Sequence, residues 1–221
     1  MSRKRKTWTD WIPATILMAA IIAVISAALI LVSGGLGQPA PAPTAGQVTE
    51  KNLSIFTRDG LAYIDKTREV RFNLSAPPVD AAELGLDNDG SLTIGPHAAT
   101  VDYYLFIYGG AEGQGGDKFT VSELTIETNA GAVASIRAPL SEVLNFHGTL
   151  NALLAKAELF GWDASTGAAI IEMVGDASRD GVPYQFGFGP GTAIGVPVAA
   201  TATCGTSGYC LIEYELTPTV R

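Results

Sequence analysis

The chain has 221 residues, a length that fits one domain with an appendage. Its formal charge is −8, yet four of its 14 basic residues, Arg3, Lys4, Arg5 and Lys6, lie in the first six positions. Beyond Asp10, ten basic residues face 21 acidic ones, and that balance of −11 excludes nucleic acid as a partner through long-range repulsion.

The basic cluster lies within a ten-residue tail (1–10), and a stretch with no charged side chain follows from Trp11 to Gly35. Its apolar core, Ile12 to Val32, is 21 residues. As a helix it is about 31 Å long, which matches a hydrocarbon core of about 30 Å. Pro13 falls in the first turn, where its missing N–H costs nothing, and Trp8 and Trp11 sit where indoles favour the headgroup zone. The sequence therefore predicts a transmembrane signal-anchor helix over 11–33. Basic residues before it and no charge after it until Glu50 predict a cytoplasmic N-terminus and an extracytoplasmic body. A cleaved signal peptide is the competing reading, but the apolar run is longer than a usual h-region and VSGGLGQPAPAP offers no small-x-small site free of proline. Both readings export the body.

Residues 34–47, GGLGQPAPAPTAGQ, predict an extended, semi-stiff spacer, able to hold the body up to about 40 Å from the bilayer. From 48 to 221 short apolar runs alternate with turn residues. LSIFT and LAYID predict a hairpin about Asp59-Gly60. EVRFNL (69–74) alternates as a strand, 75–90 reads as a loop, and SLTIG begins another strand. TVDYYLFIY (100–108), aromatic and β-branched, reads as a central strand covered on both faces. KFTVSELTIET (118–128) reads as a strand with one phase break, a bulge, pairing with AVASIRA (132–138) across Asn129-Ala130-Gly131. One helix is predicted, from an N-cap at Ser141 to Gly161, with Val143, Leu144, Leu150, Leu153, Leu154 and Ala157 on its apolar face and Gly148 weakening its middle. RDGLAY (58–63) and RDGVPY (179–184) echo one another and read as two Asp-Gly turns feeding aromatic strands. The predicted fold is mainly β, a sandwich-like domain with one packed helix, tethered by the single N-terminal transmembrane helix.

Candidate chemistry is sparse. His97 and His147 have no partners at metal spacing. GTSG (205–208) lacks one residue of a nucleophile elbow, so Ser207 supports a hydrolase weakly. Asp87 and Asp89 in LDNDGS match part of a calcium loop, but its first and last positions would be Gly85 and Pro96, and a tight turn explains the same letters. GGAEGQGGD (109–117) lacks the Gly-Lys-Ser/Thr ending of a phosphate loop and reads as a connection beside the aromatic strand, making Gly110, Glu112, Gln114 and Asp117 a candidate contact loop. Asn52 and Asn73 head N-x-S sequons, candidate glycosylation sites on an exported body. Cys204 and Cys210, the only two cysteines, flank a short Gly/Ser/Thr loop between two strand-like runs and predict a hairpin-closing disulfide in an oxidising compartment. No cofactor and no catalytic residue is predicted.

An apolar N-terminal helix followed by a β domain resembles pilin-like filament subunits, although TWTDW stands where those have a processed Gly or Ala beside the apolar run. The function expected from the residues is a non-catalytic binding or accessory module of the envelope or of a membrane complex. Its partners are the lipid bilayer, through the N-terminal helix, and a protein. The resemblance implies the alternative, a structural subunit of a surface filament or layer. An exported hydrolase is the second alternative.

Overall fold

The computed structural model describes residues 42–44, 46–96, 103–109 and 115–218, and the body belongs to the unit Pro43–Arg221. The expected anchor and most of the expected linker lie outside the described residues. Among the described residues no helix is long and apolar enough to cross a membrane.

In chain order the elements are α1 (Arg58–Thr67), β1 (Glu69–Asn73), β2 (Gly90–Ile94), β3 (Tyr103–Gly109), β4 (Gly115–Val121), β5 (Leu124–Asn129) and β6 (Ala132–Asn145). Three helices follow, α2 (Phe146–Leu154), α3 (Ala157–Phe160) and α4 (Thr166–Asp180), then β7 (Tyr184–Gly191), β8 (Val198–Cys204) and β9 (Tyr209–Leu216). The strands hydrogen-bond into one nine-stranded sheet, β1-β3-β4-β6-β9-β8-β7, with β2 joined through β5 to β6. The β1–β3 pair is parallel and the other pairs are antiparallel, so the sheet is mixed. The fold is thus mainly β, as expected, but its described strands share one sheet where a sandwich was expected.

The reason is β6. Along one edge it pairs first with β5 (Thr125↔Arg137) and then, at Leu140, with Val121 of β4. Along the other edge it pairs with β9 from Ile136 to Asn145. A register shift between Pro139 and Val143 bends it in the middle, where proline cannot donate to a ladder. The expected bulge in 118–128 is instead a gap between strands: Ser122 and Glu123 separate β4 from β5. The β5–β6 hairpin forms where expected, with Ala130 (φ 51°) and Gly131 (φ 79°) both left-handed, as a two-residue primed turn requires.

The helices depart most from expectation. Ser141 is strand, and the helix starts five residues later behind Asn145, whose Oδ1 accepts the Gly148 N–H at 2.8 Å. A break at Ala155 and Lys156 divides the expected single helix into α2 and α3, and Gly161 ends α3 in the left-handed conformation as predicted. The hairpin expected at Asp59-Gly60 is α1. Thr57 caps it through its hydroxyl to the Gly60 N–H (3.3 Å), and Asp59 complements the dipole in the first turn. Gly60 is required for space, because a Cβ there would overlap the Ile55 carbonyl oxygen. The echoing RDG at 179–181 does the opposite. Arg179 sits in the last turn of α4 and Gly181 (φ 65°) terminates it, its N–H donating to the Ala177 carbonyl.

The core lies on one face of the sheet. α2 contacts β6, β8, β9 and α4, and α4 contacts β7. Beneath α3, Phe160 and Trp162 stack with Phe119, Phe188 and Tyr214 at ring separations of 4.5–6.2 Å. The Trp162 indole N–H donates to the Val198 carbonyl at 2.8 Å. Glycine makes room for it: a Cβ on Gly189 would lie 2.9 Å from Trp162 Nε1, and one on Gly191 would overlap the Phe160 carbonyl oxygen. The FGFGPG run is a docking seat for the α3 corner.

Candidate functional site

Three strands at the β1 end leave one face open. Side chains alternate across a sheet. In β1, Val70 and Phe72 are buried, while Glu69, Arg71 and Asn73 lie on the other face. In β3, Tyr103 and Ile107 are buried, whereas Tyr104 is 39% exposed and Tyr108 half-buried. The register sets Glu69 beside Tyr104 and Asn73 beside Tyr108, with Tyr104 beside Thr120 of β4. Lys118 of β4 reaches over the Tyr104 ring, its Nζ 4.1 Å from the centroid, a cation–π contact. Arg71 Nη2 lies 2.7 Å from Glu69 Oε2, and that hydrogen bond, above all, raises the guanidinium pKa. Tyr108 extends the face into a cavity of about 210 Å³ that it lines with Lys51, Leu53 and Asn73. Those last three also line a larger hollow of about 530 Å³ under the 76–84 loop. The result is a tyrosine stripe along one strand, flanked by an ion pair, an amide, a hydroxyl and a lysine. Such a surface stacks and hydrogen-bonds; among its described residues there is no nucleophile–base pair.

This open face corrects the expectation that 100–108 is covered on both sides. β3 is internal in the sheet, between β1 and β4, yet among its described side chains Tyr103 and Ile107 are buried on one side while Tyr104 is exposed and Tyr108 half-buried on the other. The signal was present in the neighbouring strand: EVRFN alternates charged or polar with apolar, so one face of its partner is open too.

The predicted residues scatter. Gly110, Glu112 and Gln114 of the contact loop, and His97, lie outside the described residues. Asp117 at the end of that loop turns away from the tyrosine face, with its two oxygens 2.8 and 2.7 Å from Lys156 Nζ. The pair ties β4 to the α2–α3 junction. Burial, and secondarily the Asp117 charge, push the Tyr214 phenol far above its ordinary range. Asp89 Oδ1 accepts the Ala130 N–H at 2.8 Å, and the Asn88 carbonyl accepts the Gly131 N–H at 2.9 Å, so the DND segment clasps the β5–β6 turn. Asp87 lines a cavity of about 150 Å³ beside β2. Among the described residues no group of three or more His, Cys, Asp or Glu is placed to hold a metal.

Asn52 is exposed in a turn (φ 59°), and Ser54 of its sequon is buried, its hydroxyl accepting the Arg71 N–H at 2.8 Å. Asn73 Oδ1 accepts from the N–H and hydroxyl of Ser75 at 3.0 and 2.6 Å. His147 is exposed, its ring 5.1 Å from that of Phe146. Ser207 is exposed in the β8–β9 loop. Cys204 and Cys210 face each other in register and form the predicted disulfide, both sulfurs buried with the core. Beyond it, Val143 and Leu211 are cross-strand neighbours on the outer face, 53% and 44% exposed, with Tyr209 at 58% beside them.

No family model, no curated protein and no solved structure matches the chain.

Proposed function

We propose that this body is the extracytoplasmic part of a single-pass membrane protein and acts as a non-catalytic binding or accessory module of the envelope or of a membrane complex. The contact surface is the open face of β1, β3 and β4. The observation that carries the reading is the pair of Tyr104, exposed, and Tyr108, half-buried, on one face of β3, with Lys118 over the first ring and the Glu69–Arg71 pair alongside. The Lys118 contact gives Tyr104 a modest folding role, and an exposed tyrosine also serves recognition, since it offers stacking area and a polar tip at low entropic cost. The basic tail and uncharged span of the N-terminus support the anchored, exported location.

The test is a photo-crosslinking residue at position 104 of the full chain in intact cells, with position 171 on α4 as the comparison. The reading expects discrete adducts from 104 that are absent from 171, and retention of the chain in carbonate-washed membranes. Equal adducts at both positions, or release of the chain by carbonate, count against it.

The runner-up, a subunit of a surface filament or layer, draws on a different observation, the exposed apolar cluster of Val143, Tyr209 and Leu211. Electron microscopy of sheared surface material decides it: filaments must contain this chain and must be lost in Leu211→Lys.

A further inference from the structure

We infer that the ligand of the β1–β3–β4 face is an extended, uncharged polysaccharide segment lying along β3. This deepens the binding-module reading and rests on it.

Shape comes first. Tyr104 and Tyr108 are four residues apart on one face of one strand, about 13 Å at the rise of a β-strand. That spacing is too long for one ring and suits a chain of several. Among the described residues the surface runs from Tyr104 to the small cavity lined by Tyr108 and Asn73, long enough for more than one sugar ring. Sugar rings present apolar C–H faces that stack on aromatic rings and a rim of hydroxyls that both donate and accept. The rim of this face is matched to that: a carboxylate–guanidinium pair, an amide, a threonine hydroxyl and an ammonium, donors and acceptors interleaved rather than of one kind.

Charge then narrows the class. Among the described residues of the face, Arg71 and Lys118 against Glu69 leave a balance of +1, with Lys51 at the cavity beyond Tyr108. Glu69 and Arg71 neutralise each other at 2.7 Å, and Lys118 is drawn over a ring. With the rest of the chain past Asp10 strongly acidic, a polyanion is repelled at long range and finds no cationic track on arrival. A densely apolar partner finds charged groups in the middle of the patch, where the cores of protein interfaces are depleted of them. An uncharged glycan meets neither obstacle.

The experiment uses the full chain in detergent micelles, titrated by calorimetry and saturation-transfer NMR. The probes are neutral hexasaccharides of glucose, N-acetylglucosamine, mannose and galactose, with a heparin hexasaccharide as the polyanion. At least one neutral hexasaccharide should bind, more tightly than its disaccharide. Tyr104→Ala and Tyr108→Ala should each weaken it about tenfold, the scale of a lost aromatic stack. Tyr104→Phe should retain binding, as should Tyr209→Ala on the other exposed patch, with far-UV circular dichroism unchanged throughout. Silence from all four neutral probes, binding of heparin alone, or binding indifferent to both alanine variants overturns the inference. If position 104 nevertheless yields a specific protein adduct in cells, the binding-module reading survives without the glycan; if it yields none, both fall.

Discussion

Two aromatic groups in one sheet behave oppositely. Beneath α3, Phe119, Phe160, Trp162, Phe188 and Tyr214 interlock, with the indole N–H satisfied and Gly189 and Gly191 leaving it room. At the β1 end, Tyr104 is exposed beneath the Lys118 ammonium, and Tyr108 is half-buried beside a cavity it lines with Lys51. The first group is bound by packing on every side, so its identity is dictated by volume. The second is free of that constraint, and its identity asks for a reason outside the fold.

Mutation separates the two groups. Trp162→Ala should cost the most, about 3–5 kcal/mol of unfolding free energy, since it opens a cavity and leaves the Val198 carbonyl unpaired. Urea denaturation followed by circular dichroism measures it, and a loss under about 1 kcal/mol means the cluster is looser than its ring distances imply. Removing the disulfide with Cys204→Ser and Cys210→Ser together should cost about 2 kcal/mol, because so short a closed loop restrains the unfolded chain little. Tyr104→Ala should shift stability by no more than about 0.5 kcal/mol in the same assay. A larger loss would place Tyr104 with the packed group and remove the contrast.

Titration separates the groups further. The Tyr214 phenol has a folded-state pKa raised by burial, so its contribution to stability is full below the unfolded value of about 10 and is lost as pH rises beyond it. Denaturation midpoints should therefore fall from pH 9.5 upward in the wild type and fall less in Tyr214→Phe. The smallest effect belongs to Asp163, exposed before α4. Its carboxyl is held below the usual range, chiefly by the Ser165 hydroxyl and then by the Ser165 N–H at 2.9 Å. A depressed acid stabilises above its unfolded pKa and loses that contribution as pH falls through the folded value. Carboxyl carbon NMR should show the Asp163 midpoint move upward in Ser165→Ala; no movement would put the shift on the backbone alone.

Strands were legible where alternation or β-branching was strong. EVRFNL, SLTIG, the Ala130-Gly131 hairpin and CGTSGYC all lie where the letters put them. Helix boundaries were not, because capping residues compete. Ser141 and Asn145 are both good N-caps, and the long reach of β6 to β9 selects the later one. The two RDG sequences show why a short motif cannot settle a turn. Gly60 is needed because a carbonyl crowds it, and Gly181 because its backbone is left-handed. The same letter answers two different requirements, and neither is visible before the neighbours are placed. The tyrosine face was obscured in a related way: a run as apolar as YYLFIY reads as fully covered, and only the register beside Glu69, Arg71 and Asn73 reveals that one side is open.

The bend in β6 has a kinetic side. One strand joins β5, made just before it, to β9, made after three helices and two further strands have been synthesised. The β5–β6 hairpin closes locally and fast, but the opposite edge of β6 stays unsatisfied until the chain has run its long course and returned. During that interval a strand with open hydrogen bonds and an apolar face is available to any other extended segment, including the same strand of another copy. The interval, and not the finished sheet, is where this protein is most exposed to aggregation.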